Sequence, residues 1–125
     1  MKAIHTDNAP KALGPYSQAI KAGNMVFCSG QVPINPETNN FVEGGIKEQT
    51  RQALLNAQNI LRQAGLELSN VVKTTVFLSD MNDFVAMNEV YAEFFSMPYP
   101  ARSAVAVKTL PKNALVEIEC IAVAE

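Results

Sequence analysis

The chain has 125 residues, enough to build one hydrophobic core and too few for two ordinary domains, so a single domain over residues 1–125 is expected. Hydrophobic residues make up 48% and charged residues 18%, a balance that excludes intrinsic disorder. The formal charge of −2 offers no broad positive field to a polyanion such as nucleic acid. The first ten residues lack the apolar run of a secretory signal and no stretch could span a membrane, so the expected compartment is the cytoplasm.

In chain order, residues 17–23 and 25–29 read as two paired strands separated by Gly23-Asn24, a dipeptide suited to the positive φ angles of a tight hairpin. Residues 31–45 hold Pro33, Pro36, Asn39, Asn40, Gly44 and Gly45, so they are expected to leave the sheet as an exposed loop. Residues 46–64 place Ile46, Ala53, Leu54, Ala57, Ile60, Leu61 and Ala64 at helical spacing, which predicts an amphipathic helix closed by Gly65. Residues 71–78 are rich in β-branched side chains and read as a strand.

Asp80 and Asp83 supply acceptors for the free amides of a second helix over about residues 82–95. That helix puts Phe84, Met87, Tyr91, Phe94 and Phe95 on one side, with Asn88 one turn from Phe84 and pointing inward. Pro98 and Pro100 end it, and residues 103–110 and 115–123 read as two closing strands joined through Leu110-Pro111-Lys112-Asn113. The expected order is ββαβαββ, an α+β fold with two helices on one face of the sheet.

In the last strand Val116, Ile118, Cys120 and Ala122 form one apolar face, and Ile121 and Val123 add apolar surface to the other beyond Glu117 and Glu119. Two helices cover only one face, so the second is expected to be buried in a homo-oligomer. Cys28 and Cys120 lie in apolar strand-like runs without CxxC spacing and are read as buried reduced thiols. With His5 as the only histidine, neither a metal site nor a Ser-His or Cys-His catalytic pair is indicated, and no GxGxxG, P-loop or HExxH pattern occurs.

Of the three arginines, Arg51 and Arg62 fall on the polar face of the first helix. Arg102 stands at the start of a strand behind Pro100, which fixes the direction of a planar fork able to grip a carboxylate in two places. Ala104 and Ala106 on the same strand face leave room beside it. Two readings stand open from the residues alone: a ligand clamp, or an ordinary ion pair with Glu117 or Glu119 of the neighbouring strand. A desolvated Glu117 could act as a general base, or could be one of two solvated glutamates on a strand. Gly14-Pro15-Tyr16 forms a turn aiming the Tyr16 hydroxyl, and Ser29-Gly30 offers a hydroxyl and an approachable amide.

Pro100-Ala101-Arg102-Ser103, followed by Val105, Val107, Leu110-Pro111 and Val116-Glu117-Ile118-Glu119, resembles the C-terminal signature of the RidA/YjgF (reactive intermediate deaminase) family. The likeness extends through Gly14-Pro15-Tyr16-Ser17-Gln18, Cys28-Ser29-Gly30-Gln31, Val72-Lys73-Thr74-Thr75 and Phe84-Val85-Ala86-Met87-Asn88. It implies a chorismate-mutase-like α+β subunit of the bacillary type with a mixed sheet, assembled as a homotrimer with sites between subunits. The activity it implies is cofactor-free hydrolysis of 2-iminobutanoate and 2-iminopropanoate, products of pyridoxal-phosphate enzymes such as threonine dehydratase, to 2-oxo acids and ammonia.

Carried over by position, the resemblance makes Arg102 the clamp for the substrate carboxylate, assisted by the backbone amide of Ala104. Glu117 lies by the attacking water, and Tyr16, Ser29, Gly30 and Asn88 shape the pocket. Two departures stand out: alanine at 104 where many deaminase members have cysteine, and a short Ser96-Met97-Pro98-Tyr99 connection, which bears on the accepted side chain. The alternatives are a 2-oxo acid binding or regulatory protein without turnover, the ribonuclease or translation-inhibitor activity ascribed to some relatives, and a redox-activated holdase.

Overall fold

A computed structural model describes residues 1–125. Its main sheet has six strands: β1 (Lys2–Ile4), β2 (Ala19–Ala22), β3 (Met25–Gln31), β6 (Val71–Leu78), β7 (Ala101–Ala106) and β8 (Val116–Val123). A two-stranded ribbon, β4 (Ile34–Asn35) with β5 (Asn40–Phe41), and two helices, α1 (Ile46–Gln63) and α2 (Phe84–Phe94), complete it. The sheet runs β1-β2-β3-β8-β6-β7. All neighbours are antiparallel except β6 and β7, which the α2 crossover makes parallel. This is the expected mixed α+β class with both helices against one face.

Two parts of the expected order need correction. β1 was not anticipated, because three residues are too few to show a period, and it is held from outside. Gln18 accepts from the Thr6 amide at 2.7 Å and donates to the Thr6 and Pro10 carbonyls at 3.0 and 2.8 Å, anchoring the segment that follows β1. The stretch expected as an exposed loop begins inside β3 at Gln31, buries Pro33 and folds back as the β4–β5 ribbon, with Asn39 at positive φ in its turn. Asn56 of α1, fully buried, donates to the carbonyls of Val32 and Ile34 at 3.1 and 2.9 Å. A helix side chain thereby adds partners for the half-buried backbone of this loop.

α1 closes as expected: Gly65, at φ 79°, lets its amide reach the Arg62 carbonyl and the Leu66 amide reach that of Leu61. Asp80 Oδ1 accepts from the Asn82 amide at 2.8 Å, and a single 3₁₀ turn precedes α2. Lys47 and Arg51 of α1 pair with Glu89 and Glu93 of α2 across the outer surface. β7 starts one residue before Arg102 and stops at Ala106, earlier than the expected run of residues 103–110.

The core lies between helices and sheet, with Leu54, Ile60 and Leu61 of α1 and Met87 of α2 against Val26, Val76, Leu78, Val116 and Ile118. Cys28 and Cys120 face each other across β3 and β8 as buried free thiols, and this contact together with burial raises the Cys28 pKa. The sheet's other face is open. Phe27 and Val105 on it are 42% and 45% exposed, and Ile121 and Val123 of β8 are only half-buried.

Candidate active site

Strand register places the expected site residues in two groups. Arg102 is the ladder partner of Thr74, and Thr74 of Cys120, so all three project toward the helices. Glu117 is the partner of Phe77, which pairs with Val105, so these three project to the open face. The ion pair of Arg102 with Glu117 or Glu119 therefore does not form within the chain. Arg51 and Arg62 pair with glutamates, whereas Arg102 takes part in none of the four ion pairs.

The first group surrounds Arg102. Its Nη1 donates to Asn88 Oδ1 at 2.7 Å, and its Cζ stands 4.8 Å from the Tyr91 ring centre and 5.5 Å from that of Phe84. α2 supplies all three partners from one face, because residues 84, 88 and 91 recur at helical spacing. Beside the guanidinium opens a cavity of about 370 Å³ lined by Asn88, Tyr91, Ala92, Tyr99, Pro100 and Arg102. This cavity holds an unpaired, half-buried cation with aromatic walls, suited to a small organic anion.

β7 is the last strand of the sheet. The Val107 amide donates to the Leu78 carbonyl at 2.8 Å. By alternation the amides of Ser103 and Val105 also face β6, and those of Arg102 and Ala104 face the open edge. Ala104, half-buried against the core, thus offers a free backbone donor two residues from the guanidinium.

The second group is built on Glu117 and Gly30, with Ser29 next to Gly30 in β3 and Tyr16 sharing a cavity with it. Burial, followed by the charge of Glu119, pushes the Glu117 pKa above the ordinary carboxylate range. A bulge in β3 between Cys28 and Gln31 brings Gly30 against it: a methyl group at Gly30 would overlap Glu117 Oε2 and come within 2.8 Å of Cδ. Gly30 also lines a second cavity, of about 240 Å³, together with Tyr16, Leu13, Lys11, Pro111 and Lys112. The Tyr16 ring is exposed, and its hydroxyl lies 3.4 Å from the Leu13 amide. The Ser29 hydroxyl donates to the Ser17 carbonyl at 2.6 Å, so it retains only acceptor capacity for a ligand.

A family model described as Endoribonuclease L-PSP matches residues 6–124. The chain belongs to this family, the RidA/YjgF family. A RutC family protein of Pyrococcus horikoshii is 59% identical over 124 residues, covering 99% of this chain and 98% of the relative. A protein of Dermatophagoides farinae named 2-iminobutanoate/2-iminopropanoate deaminase is 48% identical over 124 residues, covering 99% of this chain and 97% of the relative. The crystal structure of E. coli TdcF with bound serine superposes with a TM-score of 0.95 at 44% identity, covering all of both chains. RidA/YjgF membership accounts for the motif rows of the sequence, which lie within the matched residues.

Sequence reasoning missed two members of the Arg102 group. Tyr91 was read as a core aromatic and Thr74 as a strand residue, yet the Thr74 Oγ1 and the Tyr91 hydroxyl meet at 2.7 Å beneath the guanidinium. A signal for Tyr91 existed, since it lies three residues from Asn88 on the same helix face. No local pattern joins Thr74 to it, because their contact depends on how α2 crosses the sheet.

Proposed function

We propose that this protein hydrolyses 2-iminobutanoate and 2-iminopropanoate to 2-oxo acids and ammonia, in the cytoplasm and without a cofactor. The observation that carries the reading is the unpaired guanidinium of Arg102, fixed by Asn88 and two rings beside a cavity of about 370 Å³. The names of relatives support it: one is called a deaminase for these imines, and another was crystallised with serine, a small molecule bearing a carboxylate.

In this reading Arg102 and the edge amide of Ala104 hold the substrate carboxylate, and Asn88 fixes the guanidinium. Glu117, Gly30, Ser29 and Tyr16 belong to the neighbouring subunit and complete the pocket. The single-domain subunits form a homotrimer that covers the open sheet face, because the two groups project from opposite faces and close on one another only between copies.

Ionised Glu117 takes a proton from water as the oxygen bonds to the iminium carbon, giving a carbinolamine. The protonated carboxyl returns the proton to nitrogen. As the carbon–nitrogen bond breaks, the carbinolamine hydroxyl gives its proton to the Glu117 carboxylate and becomes the carbonyl of the 2-oxo acid, and the departing ammonia takes that proton away as ammonium. The iminium carbon is already electrophilic, so positioning water and neutralising the carboxylate suffice.

The test is release of 2-oxobutanoate and ammonia from freshly generated 2-iminobutanoate. Acceleration by the wild-type protein and its loss in a folded Arg102→Ala variant are expected. If neither protein accelerates release, turnover is refuted; retained 2-oxobutanoate binding would then leave a 2-oxo acid binding protein. The ribonuclease reading rests on the family description and requires salt-sensitive RNA binding, which the charge of −2 does not favour.

A further inference from the structure

The Arg102 clamp depends on how its guanidinium plane is set. A carboxylate is gripped in two places only when the fork faces it edge-on. The bond to Asn88 Oδ1 fixes one corner of the fork and leaves it free to pivot about that corner. The Tyr91 ring, 4.8 Å away, supplies a flat surface that opposes such a pivot.

We propose that Tyr91 is the positioning residue of the carboxylate clamp, its ring setting the plane of Arg102 and Thr74 setting the ring. The Tyr91 hydroxyl meets Thr74 Oγ1 at 2.7 Å. Thr74 is 1% exposed and is the ladder partner of Arg102, so ring and guanidinium are tied to the same row of the sheet. The ring also packs on Phe95, centroids 4.5 Å apart. Burial raises the Tyr91 pKa, so the phenol stays neutral and leaves the charge of Arg102 for the ligand. The circuit Arg102–Thr74–Tyr91 gives a reason for tyrosine here rather than another core aromatic: its hydroxyl needs a buried partner, and this partner holds the ring at one tilt.

The proposal rests on Arg102 being the carboxylate clamp, and the experiment separates the two claims. Binding of 2-oxobutanoate is measured with folding checked by thermal melting, and KM and kcat are measured with 2-iminobutanoate. In Tyr91→Leu the dissociation constant for 2-oxobutanoate rises about tenfold, with KM rising and kcat little changed, because Arg102 holds the carboxylate in ground and transition states alike. Tyr91→Phe and Thr74→Val each raise it about threefold, and the double variant is no worse than either single, since both remove one hydrogen bond.

A folded Tyr91→Leu that binds 2-oxobutanoate as wild type does, while Arg102→Ala loses binding, overturns the positioning role alone. Wild type and Arg102→Ala binding equally well overturn the clamp and the positioning role with it. If Tyr91→Leu does not fold, Tyr91→Phe and Thr74→Val decide: unchanged affinity in both overturns the proposal, and matched, non-multiplying losses support it.

Discussion

Arg102 and Glu117 lie two strands apart in one sheet and project from its opposite faces, Arg102 toward α2 and Glu117 to the open side. The separation follows from pleat parity alone. A one-residue slip of β7 or β8 would bring both groups to one side and drive the apolar residues of the slipped strand out of the core. Within one chain each group therefore keeps its own surroundings: an unpaired cation among rings, and a carboxylate desolvated against a glycine.

Glu117→Gln is expected to lower kcat by about 10²–10⁴-fold while 2-oxobutanoate binds unchanged. The raised pKa of Glu117 places the acid limb of the wild-type pH–rate profile above the ordinary carboxylate range, with rate falling as pH drops through it, and the variant lacks this limb. Stability follows the same group. Its folded-state pKa exceeds the unfolded one, so the folded state favours the protonated form, and wild type loses stability as pH rises through the folded value. Melting temperatures of the two proteins should converge in acid, and the variant should gain on wild type toward neutral pH.

Gly30→Ala tests the contact between backbone and base. The added methyl meets Glu117 at its flexible end, and Gly30 does not have a positive φ. The variant should fold with a melting temperature within a few degrees of wild type. Its kcat should fall about tenfold or more, because a carboxylate displaced by about 1 Å no longer positions water. Steady-state kinetics beside thermal melting check this; unchanged kcat would contradict the placement of Glu117 as base.

Asn56→Ala removes the two bonds that Asn56 donates to the half-buried Val32 and Ile34 carbonyls; that of Val32 keeps its bond from the Ile34 amide, and that of Ile34 loses this partner. The expected loss is about 1–3 kcal/mol in urea unfolding, the cost of removing two side-chain hydrogen bonds of which one leaves its acceptor still paired. Amide exchange should quicken in residues 31–41 before it does in the sheet.

What the sequence disclosed of this fold are the parts set by local periodicity: both helices, the Gly65 stop, the hairpin of β2 with β3, and the two faces of β8. What it hid depends on contacts made at a distance. Gln49, Thr50 and Asn56 are not among the apolar positions that marked the helix, yet all three are buried. Asn56 serves a loop twenty-two residues upstream of it, and Gln49 accepts from the Leu115 amide. The ribbon of β4 and β5 has two residues per strand, too short for a period to show.

For the candidate site, the sequence singled out Arg102 by its place behind Pro100, but its residues alone did not separate a clamp from an ion pair. The ladder register removes Glu117 and Glu119 of the same chain from its reach and so excludes that ion pair within the chain, which leaves the clamp as the reading proposed. The resemblance marked Asn88, and the structure adds the reason, a 2.7 Å bond to the guanidinium. Tyr91 and Thr74 were missed because their meeting needs the tertiary placement of α2.

The measurement that tests the account most directly is the rate of 2-oxobutanoate formation by a mixed assembly of Arg102→Ala and Glu117→Gln subunits, unfolded together in urea and refolded at equal amounts. Each homogeneous variant should be nearly inactive. In the mixture a site is intact when its Arg102 comes from a Glu117→Gln subunit and its Glu117 from an Arg102→Ala subunit, so random assembly restores about a quarter of the wild-type rate. A folded mixture that turns over no faster than the two variants refolded separately would contradict a site shared between subunits and, with it, the joint roles of Arg102 and Glu117.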